Sequence, residues 1–290
     1  MPVLPLPPTT WQYLKGVQPI AVILTALPVE YDAVRPYLAA RKKVVLKDGT
    51  RLEQGRLDGS PWTVALAELG KGALTTAILA KQIINELKPQ ALLFVGVAGG
   101  LKDDLQLGDV VVGTKVYAVQ GGKITPEGQL ERPEGWHGSH ALVQAARDAL
   151  RDLRPGVRGH LEPIACGDVV LTDPDSEFTE RLKHSYNDAH AIEMEGSGIA
   201  HAAHLSRQLD ALVIRGISDF ANPDKSTADA SGSQQLAAGQ AAKVAVAVLR
   251  KHEPTSEETP KAAGPTYAGD HIDFSGGTFY GPVTGKQSKP

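Results

Sequence analysis

The stretch HAIEMEGSGIAHAAHLSRQLDALVIRGISDF, residues 190–220, sets the frame for the whole chain. It opens on a short apolar run that ends in two carboxylates, Glu193 and Glu195. A helix of small residues follows. An apolar segment of strand length, LVIRGIS at 212–218, then stops on Asp219. Strand, helix and strand in succession are the repeating unit of an α/β sheet. Acids at the ends of buried elements are costly unless they are paired or used.

The same alternation extends in both directions. Ile20–Ala26 (IAVILTA) and Ala91–Val97 (ALLFVGV) are continuous apolar runs, the mark of strands buried on both faces. Asp109–Val119 and His160–Leu171 read as further strands, the latter with an interior Gly167-Asp168. Lys43–Leu46, Thr50–Leu57 and Trp62–Leu69 read as a β-meander with a hairpin turn at Asp58–Gly59. Pro28 suits a first helical turn, and Glu30–Ala39 carries apolar residues at helical spacing. In Ala73–Leu87 the residues Leu74, Ala77, Ile78, Lys81, Ile84 and Leu87 recur every three or four positions, and Pro89 closes the helix. His140–Leu153, Pro174–Tyr186 with Asp173 as its cap, and Ser231–Lys251 complete the helices. Residues 121–138 are polar and rich in Gly and Pro, and read as a loop. Alternation from Ile20 to Lys251 predicts one α/β domain with a mixed, mostly parallel sheet.

Composition narrows the function. The 290 residues are 42% hydrophobic and 22% charged, with a net charge of −3. No basic block marks a nucleic-acid footprint, so none is expected as a partner. No apolar run approaches the ~20 residues that span a bilayer, so no membrane is expected either. The lone Cys166 excludes an internal disulfide, fits a reducing cytoplasm and reads as a small buried hydrophobe. There is no Cys/His ligand cluster, and neither a metal nor a cofactor is expected. His201 and His204, three apart on a helix, read as surface or packing residues.

In such sheets ligands bind at the carboxyl ends of the strands. Glu30, Gly96–Gly100 and Asp219 each follow a predicted strand, and Glu195 lies just past a short strand at His190–Ile192. One pocket edge that collects all four would be an acid-lined small-molecule site.

The motifs TALPVE (25–30), GVAGGL (96–101), EMEGSGIA (193–200) and RGISD (215–219), in this order, resemble the nucleoside phosphorylase/nucleosidase superfamily. The nearest branch is that of methylthioadenosine/S-adenosylhomocysteine nucleosidases. The resemblance spans roughly residues 20–251 and implies a three-layer α/β/α, phosphorylase/hydrolase-like fold. It implies cleavage of the N-glycosidic bond of a purine nucleoside or nucleotide. By this resemblance Asp219 protonates the purine at N7, and Glu30 activates water. Glu195 holds the ribose hydroxyls, and Met194 packs on the sugar face. Gly99 and Gly100 either close a tight turn or allow close backbone approach of the ligand, with Ala98 beside them as a substrate-binding residue and Val169 and Val170 in the base-pocket segment GDVVL (167–171). Family habit implies a homo-oligomer, a dimer or higher.

Structural roles compete with these. Asp219 also fits a turn after a strand, Glu195 a first-turn carboxylate and Glu30 a solvated one. Glu193 reads as supporting. Arg215, inside an apolar strand, needs a partner: Glu193, Glu195 or a phosphate. Lys71, between two glycines, reads equally as a phosphate contact or a solvated charge. The chain departs from the family in three places. ALPVE lacks the arginine of a phosphorylase phosphate loop, which favours hydrolysis. Val97 stands where nucleosidases carry a small hydroxyl residue. The base segment lacks a stacking aromatic, which leaves the substrate's identity open.

The ends of the chain differ in character. Residues 1–18 are a Pro-rich lead without a signal peptide's basic region. The domain is expected over 19–252, a linker over 253–269 and a short motif over 270–287. The segment HIDFSGGTFYGPVTG resembles amyloid-forming signalling motifs at the ends of bacterial and fungal immune effectors, in which stacked copies pair their edges. That resemblance implies a cytoplasmic effector recruited by a receptor bearing a matching motif. A disordered or partner-docking tail is the alternative.

Overall fold

The structure is a computed structural model that describes residues 18–126, 128–206, 209–221 and 231–255, together with 278, 280 and 281. The chain divides into two units, Met1–Pro254 and Thr255–Pro290. The motif expected over 270–287 lies outside the described residues but for those three positions. So does nearly all of the linker and of the N-terminal lead.

In chain order the strands are β1 (Ile20–Thr25), β2 (Leu38–Val45), β3 (Arg51–Leu57), β4 (Thr63–Glu68), β5 (Ala91–Gly100), β6 (Val110–Ala118), β7 (Gly122–Thr125), β8 (Gly128–Glu131), β9 (Glu134–His137), β10 (Gly159–Cys166), β11 (Ala191–Glu193) and β12 (Asp210–Asp219). The helices are α1 (Pro28–Val34), α2 (Ala73–Leu87), α3 (His140–Leu153), α4 (Glu177–Ser185), α5 (Gly196–His204) and α6 (Ser233–Lys251). Ten strands form one mixed sheet in the order β11-β10-β6-β12-β5-β1-β4-β3-β2, with β9 beside β6. The long apolar runs β1, β5 and β12 are its parallel centre. Helices α1, α3 and α6 cover one face through Val34, Leu142 and the Ala/Val row of α6. Helices α2 and α5 cover the other through Ala80, Ile83, Ile199 and Ala202. This is the three-layer α/β/α architecture.

The sheet also curls back on itself. β11 runs parallel to β10 and antiparallel to the end of β5, with Ala191 opposite Gly100 and Ile192 opposite Gly99. The ends of β5, β11 and β12 are therefore brought to one place.

Local chemistry moves several predicted boundaries. The helix over Glu30–Ala39 stops at Val34, becomes a 3₁₀ turn at Arg35–Tyr37, and gives way to β2. Pro36 has no N–H to offer the carbonyl one turn back, so the α-helix cannot continue through it. Residues 121–138 contain β7, β8 and β9 rather than a bare loop. β9 is held by pairing with β6 and by Trp136, which is buried and stacks on His201 at 4.8 Å. The strand over 160–171 ends at Cys166. Helix α4 is capped by Ser176, whose hydroxyl accepts from the Thr179 amide at 3.3 Å, while Asp173 binds the Asp175 amide.

Helix α6 sits very close to β12. A Cβ on Gly216 would lie 2.1 Å from the Ala237 carbonyl oxygen, a backbone atom that cannot swing aside. Gly239 on the same helix has nothing within 4 Å of its Cβ direction. Gly216→Ala should therefore lose about 1–3 kcal/mol or more through overpacking. Gly239→Ala should gain about 0.5–1 kcal/mol from helix propensity. Urea denaturation of the two variants checks the opposite signs.

Candidate active site

Each functional side chain is placed by the end of a strand. Glu30 lies in the first turn of α1, just after β1. Its carboxylate turns back to accept the amides of Ala26 (2.8 Å) and Leu27 (3.0 Å), and reaches across to the Val97 amide of β5 (2.9 Å). It is 2% exposed. Burial pushes its pKa up, against the opposing pull of Arg215 and of those three amides.

Glu195 is the N-cap residue of α5, and its Oε1 accepts from the Gly72 amide at 3.1 Å. Burial raises its pKa too, with Arg215 acting against and the Glu193 charge adding to the rise. Glu193 faces inward from β11. Its oxygens take the amides of Glu195 (3.1 Å) and Gly196 (2.8 and 2.9 Å) and pair with the Arg215 guanidinium. Arg215, on β12, is 1% exposed, with its Cζ over the Phe94 ring, 3.8 Å from the centroid. Burial works against its charge, but the carboxylates of Glu193, Glu30 and Glu195 together keep it protonated. Of the partners open to Arg215 from sequence, the hydrogen-bonded ion pair is with Glu193.

Asp219 ends β12 where the register with β5 shifts, between Ile217 and Asp219. Its Oδ1 accepts the Ala221 amide (2.9 Å) and its Oδ2 the Ser218 hydroxyl (3.0 Å). Gly99 stands against it: a Cβ there would be 3.0 Å from Asp219 Oδ1.

These groups converge on one cavity of about 140 Å³. Glu30, Glu195, Asp219, Met194, Ala98, Gly99, Val169, Val170 and Lys71 all line it. Arg215 does not; it sits behind the carboxylates. Larger hollows exist beneath α5 and beside Gly100–Leu105, but neither gathers buried carboxylates. Among the described residues no three His, Cys, Asp or Glu side chains are placed to hold one metal ion together.

Three contributors had no part in the sequence reading. Ser218, adjacent to Asp219 in ISDF, was open to recognition as the hydroxyl that holds it. Gln234, from the start of α6, also lines the cavity and carries no local signal. The Gly72 amide binds Glu195 only because the loop before α2 reaches it.

A family model for the phosphorylase superfamily matches residues 20–250. Among similar solved structures is a methylthioadenosine/S-adenosylhomocysteine nucleosidase from Streptococcus pneumoniae, in complex with 8-aminoadenine. It is 27% identical with a TM-score of 0.68, over 80% of this chain and 99% of that one. The corresponding nucleosidase from Neisseria meningitidis, with methylthio-immucillin-A, is 24% identical with a TM-score of 0.70, over 80% and 98%. Futalosine hydrolase of Helicobacter pylori is 21% identical with a TM-score of 0.69, over 80% and 97%.

Two outcomes follow from the electrostatics. Because the folded-state pKa of Glu30 is raised, its ionisation opposes folding as pH rises from about 4.3 through the raised value. The Tm difference between Glu30→Gln and wild type should therefore move in the variant's favour between pH 4 and pH 7, and thermal melts measure it. Arg215→Met leaves Glu193 buried and unpaired and should cost about 3–5 kcal/mol. Adding Glu193→Gln should recover part of that loss in denaturant titrations.

Proposed function

The chain belongs to the phosphorylase superfamily, and from that premise we propose that it hydrolyses the N-glycosidic bond of a purine nucleoside or nucleotide. The observation that carries the proposal is the meeting of three buried carboxylates, Glu30, Glu195 and Asp219, from separate segments on one small cavity. Asp219 delivers a proton to N7 of the purine, which makes the base a neutral leaving group. The bond from C1′ to the base nitrogen breaks, and the electron pair leaves with the base. Glu195 binds the ribose hydroxyls, and its charge favours the cationic sugar. Met194 packs on the sugar face. Glu30 takes a proton from the water that attacks C1′, as in other two-carboxylate glycoside cleavages.

Hydrolysis is favoured over phosphorolysis by the charges present. Phosphate as nucleophile needs a cationic cradle, whereas Arg215 is held by Glu193 and the cavity wall is rich in carboxylates. A purine as leaving group accords with the 8-aminoadenine bound by the pneumococcal nucleosidase. The apolar Val169 and Val170, both exposed at the cavity, suit the flat face of a base.

A role as an effector rests on the tail sequence alone. We propose that residues 270–287 assemble by edge pairing and recruit the enzyme, as a cytoplasmic homo-oligomer, to a receptor with a matching motif. The supporting pattern is IDF and TFY around Ser275–Gly277.

Chromatography of reactions with adenosine, methylthioadenosine, AMP and ATP, with and without phosphate, tests the main reading. Free adenine should appear without phosphate, and Asp219→Asn should slow its release about 10²–10⁴-fold. Release that requires phosphate and yields a sugar phosphate would reverse the choice of nucleophile. The acid limb of kcat/KM should lie above the ordinary glutamate range, because Glu30 must be ionised to act and its pKa is raised.

A further inference from the structure

Lys71 also lines the cavity, and the mechanism above makes no use of it. Among the described lining residues it is the one cation, set against Glu30, Glu193, Glu195 and Asp219. Its place is made by backbone conformation. Gly70 and Gly72, on either side, have φ of +82° and +100°, and a Cβ on either would meet nothing within 4 Å. Glycine is thus required there by the turn, and not by crowding. The turn is fastened to the sugar end of the site, because the Gly72 amide donates to Glu195 at 3.1 Å. Asp219, at the base end, is held by a different segment, through Ala221 and Ser218.

A ribose carries its base at C1′ and its 5′ substituent at C4′, on opposite sides of the ring oxygen. With the base at Asp219 and the hydroxyls at Glu195, the loop bound to Glu195 places Lys71 at the sugar end of the cavity rather than the base end. We propose that Lys71 selects 5′-phosphorylated purine nucleosides by pairing its ammonium group with the 5′ phosphate. This rests on the nucleosidase reading and names its substrate class. A cavity walled by carboxylates repels a phosphate group, and one adjacent ammonium offsets that repulsion. A neutral 5′ hydroxyl or thioether gains nothing from it.

The test uses the full chain with AMP and adenosine in phosphate-free buffer. The ratio of kcat/KM for AMP to that for adenosine should fall about tenfold in Lys71→Met, the scale of one charge-assisted contact. Most of the fall should be in KM, and Lys71→Arg should retain most of the ratio. Calorimetry in the Asp219→Asn background separates binding from turnover. There, Lys71→Met should weaken AMP about tenfold more than adenosine. If that binding difference appears while no substrate releases base, the nucleosidase reading falls and the assignment of Lys71 stands. Equal effects of Lys71→Met on AMP and adenosine, in rate and in binding, would overturn it. So would an effect confined to a rate stimulated by inorganic phosphate, since Lys71 would then serve free phosphate.

Discussion

A guanidinium buried in the centre of a sheet is the constraint on which the rest depends. Arg215 is paired across the ladder with Gly96 of β5 and Val111 of β6, where no solvent can stabilise it. Removing an ion of this size from water costs several kcal/mol even after relaxation. Glu193 offsets that cost by direct pairing, Glu30 and Glu195 by their charges, and Phe94 by its ring face. The arrangement demands space as well as charge. A Cβ on Gly96 would lie 2.0 Å from Arg215 Nη1 and 2.4 Å from Glu30 Oε1, and one on Gly196 would lie 2.7 Å from Glu193 Oε1. These glycines are set by neighbours rather than by torsion angles.

The ion cluster and the curled sheet depend on each other. β11 must pair with both β10 and β5 for Glu193 to reach Arg215 on β12, and the amides of Glu195 and Gly196 then bind Glu193 and start α5. Glu195 takes its place at the head of that helix as a consequence. The cavity's edge is thus assembled by Glu193, an acid committed to Arg215 and to two backbone amides. The same low-dielectric setting raises the pKa of Glu30 and Glu195.

Periodicity made the framework legible. β1, β5 and β12 are apolar runs buried on both faces, and α2 spans Ala73–Leu87 as its spacing and Pro89 require. Legibility failed where stability comes from distant partners. β9 is only four residues long and lies in a stretch rich in Gly and Pro, so it does not read as a strand, yet Trp136 secures it against β6 and α5. The C-terminal end of α6 is closed by Trp62, 187 residues before Leu249, whose Nε1 donates to the carbonyls of Leu249 (3.0 Å) and His252 (2.9 Å). Strand ends did locate Glu30, Glu195 and Asp219 on one cavity. Ser218 and Gln234 were not singled out, because serine and glutamine at such positions are ordinary in any sequence.

Val97 shows why side-chain substitution is an uncertain guide at this site. Read from sequence, it is a departure, an aliphatic residue in place of a small hydroxyl one. In the fold, its contribution to Glu30 is the backbone amide at 2.9 Å, which any residue other than proline supplies. The other two donors to Glu30, Ala26 and Leu27, are likewise amides, so all three hydrogen bonds to the carboxylate come from the backbone. Glu193 likewise accepts the amides of Glu195 and Gly196, besides pairing with Arg215. Backbone amides therefore hold the orientation of Glu30 whatever side chains stand at 26, 27 and 97, proline excepted. What can change is the part of the cavity lined by side chains, at Lys71, Val97, Val169 and Val170. Variation at those positions alters the shape and charge of the cavity and leaves the backbone contacts of Glu30, Glu195 and Asp219 intact.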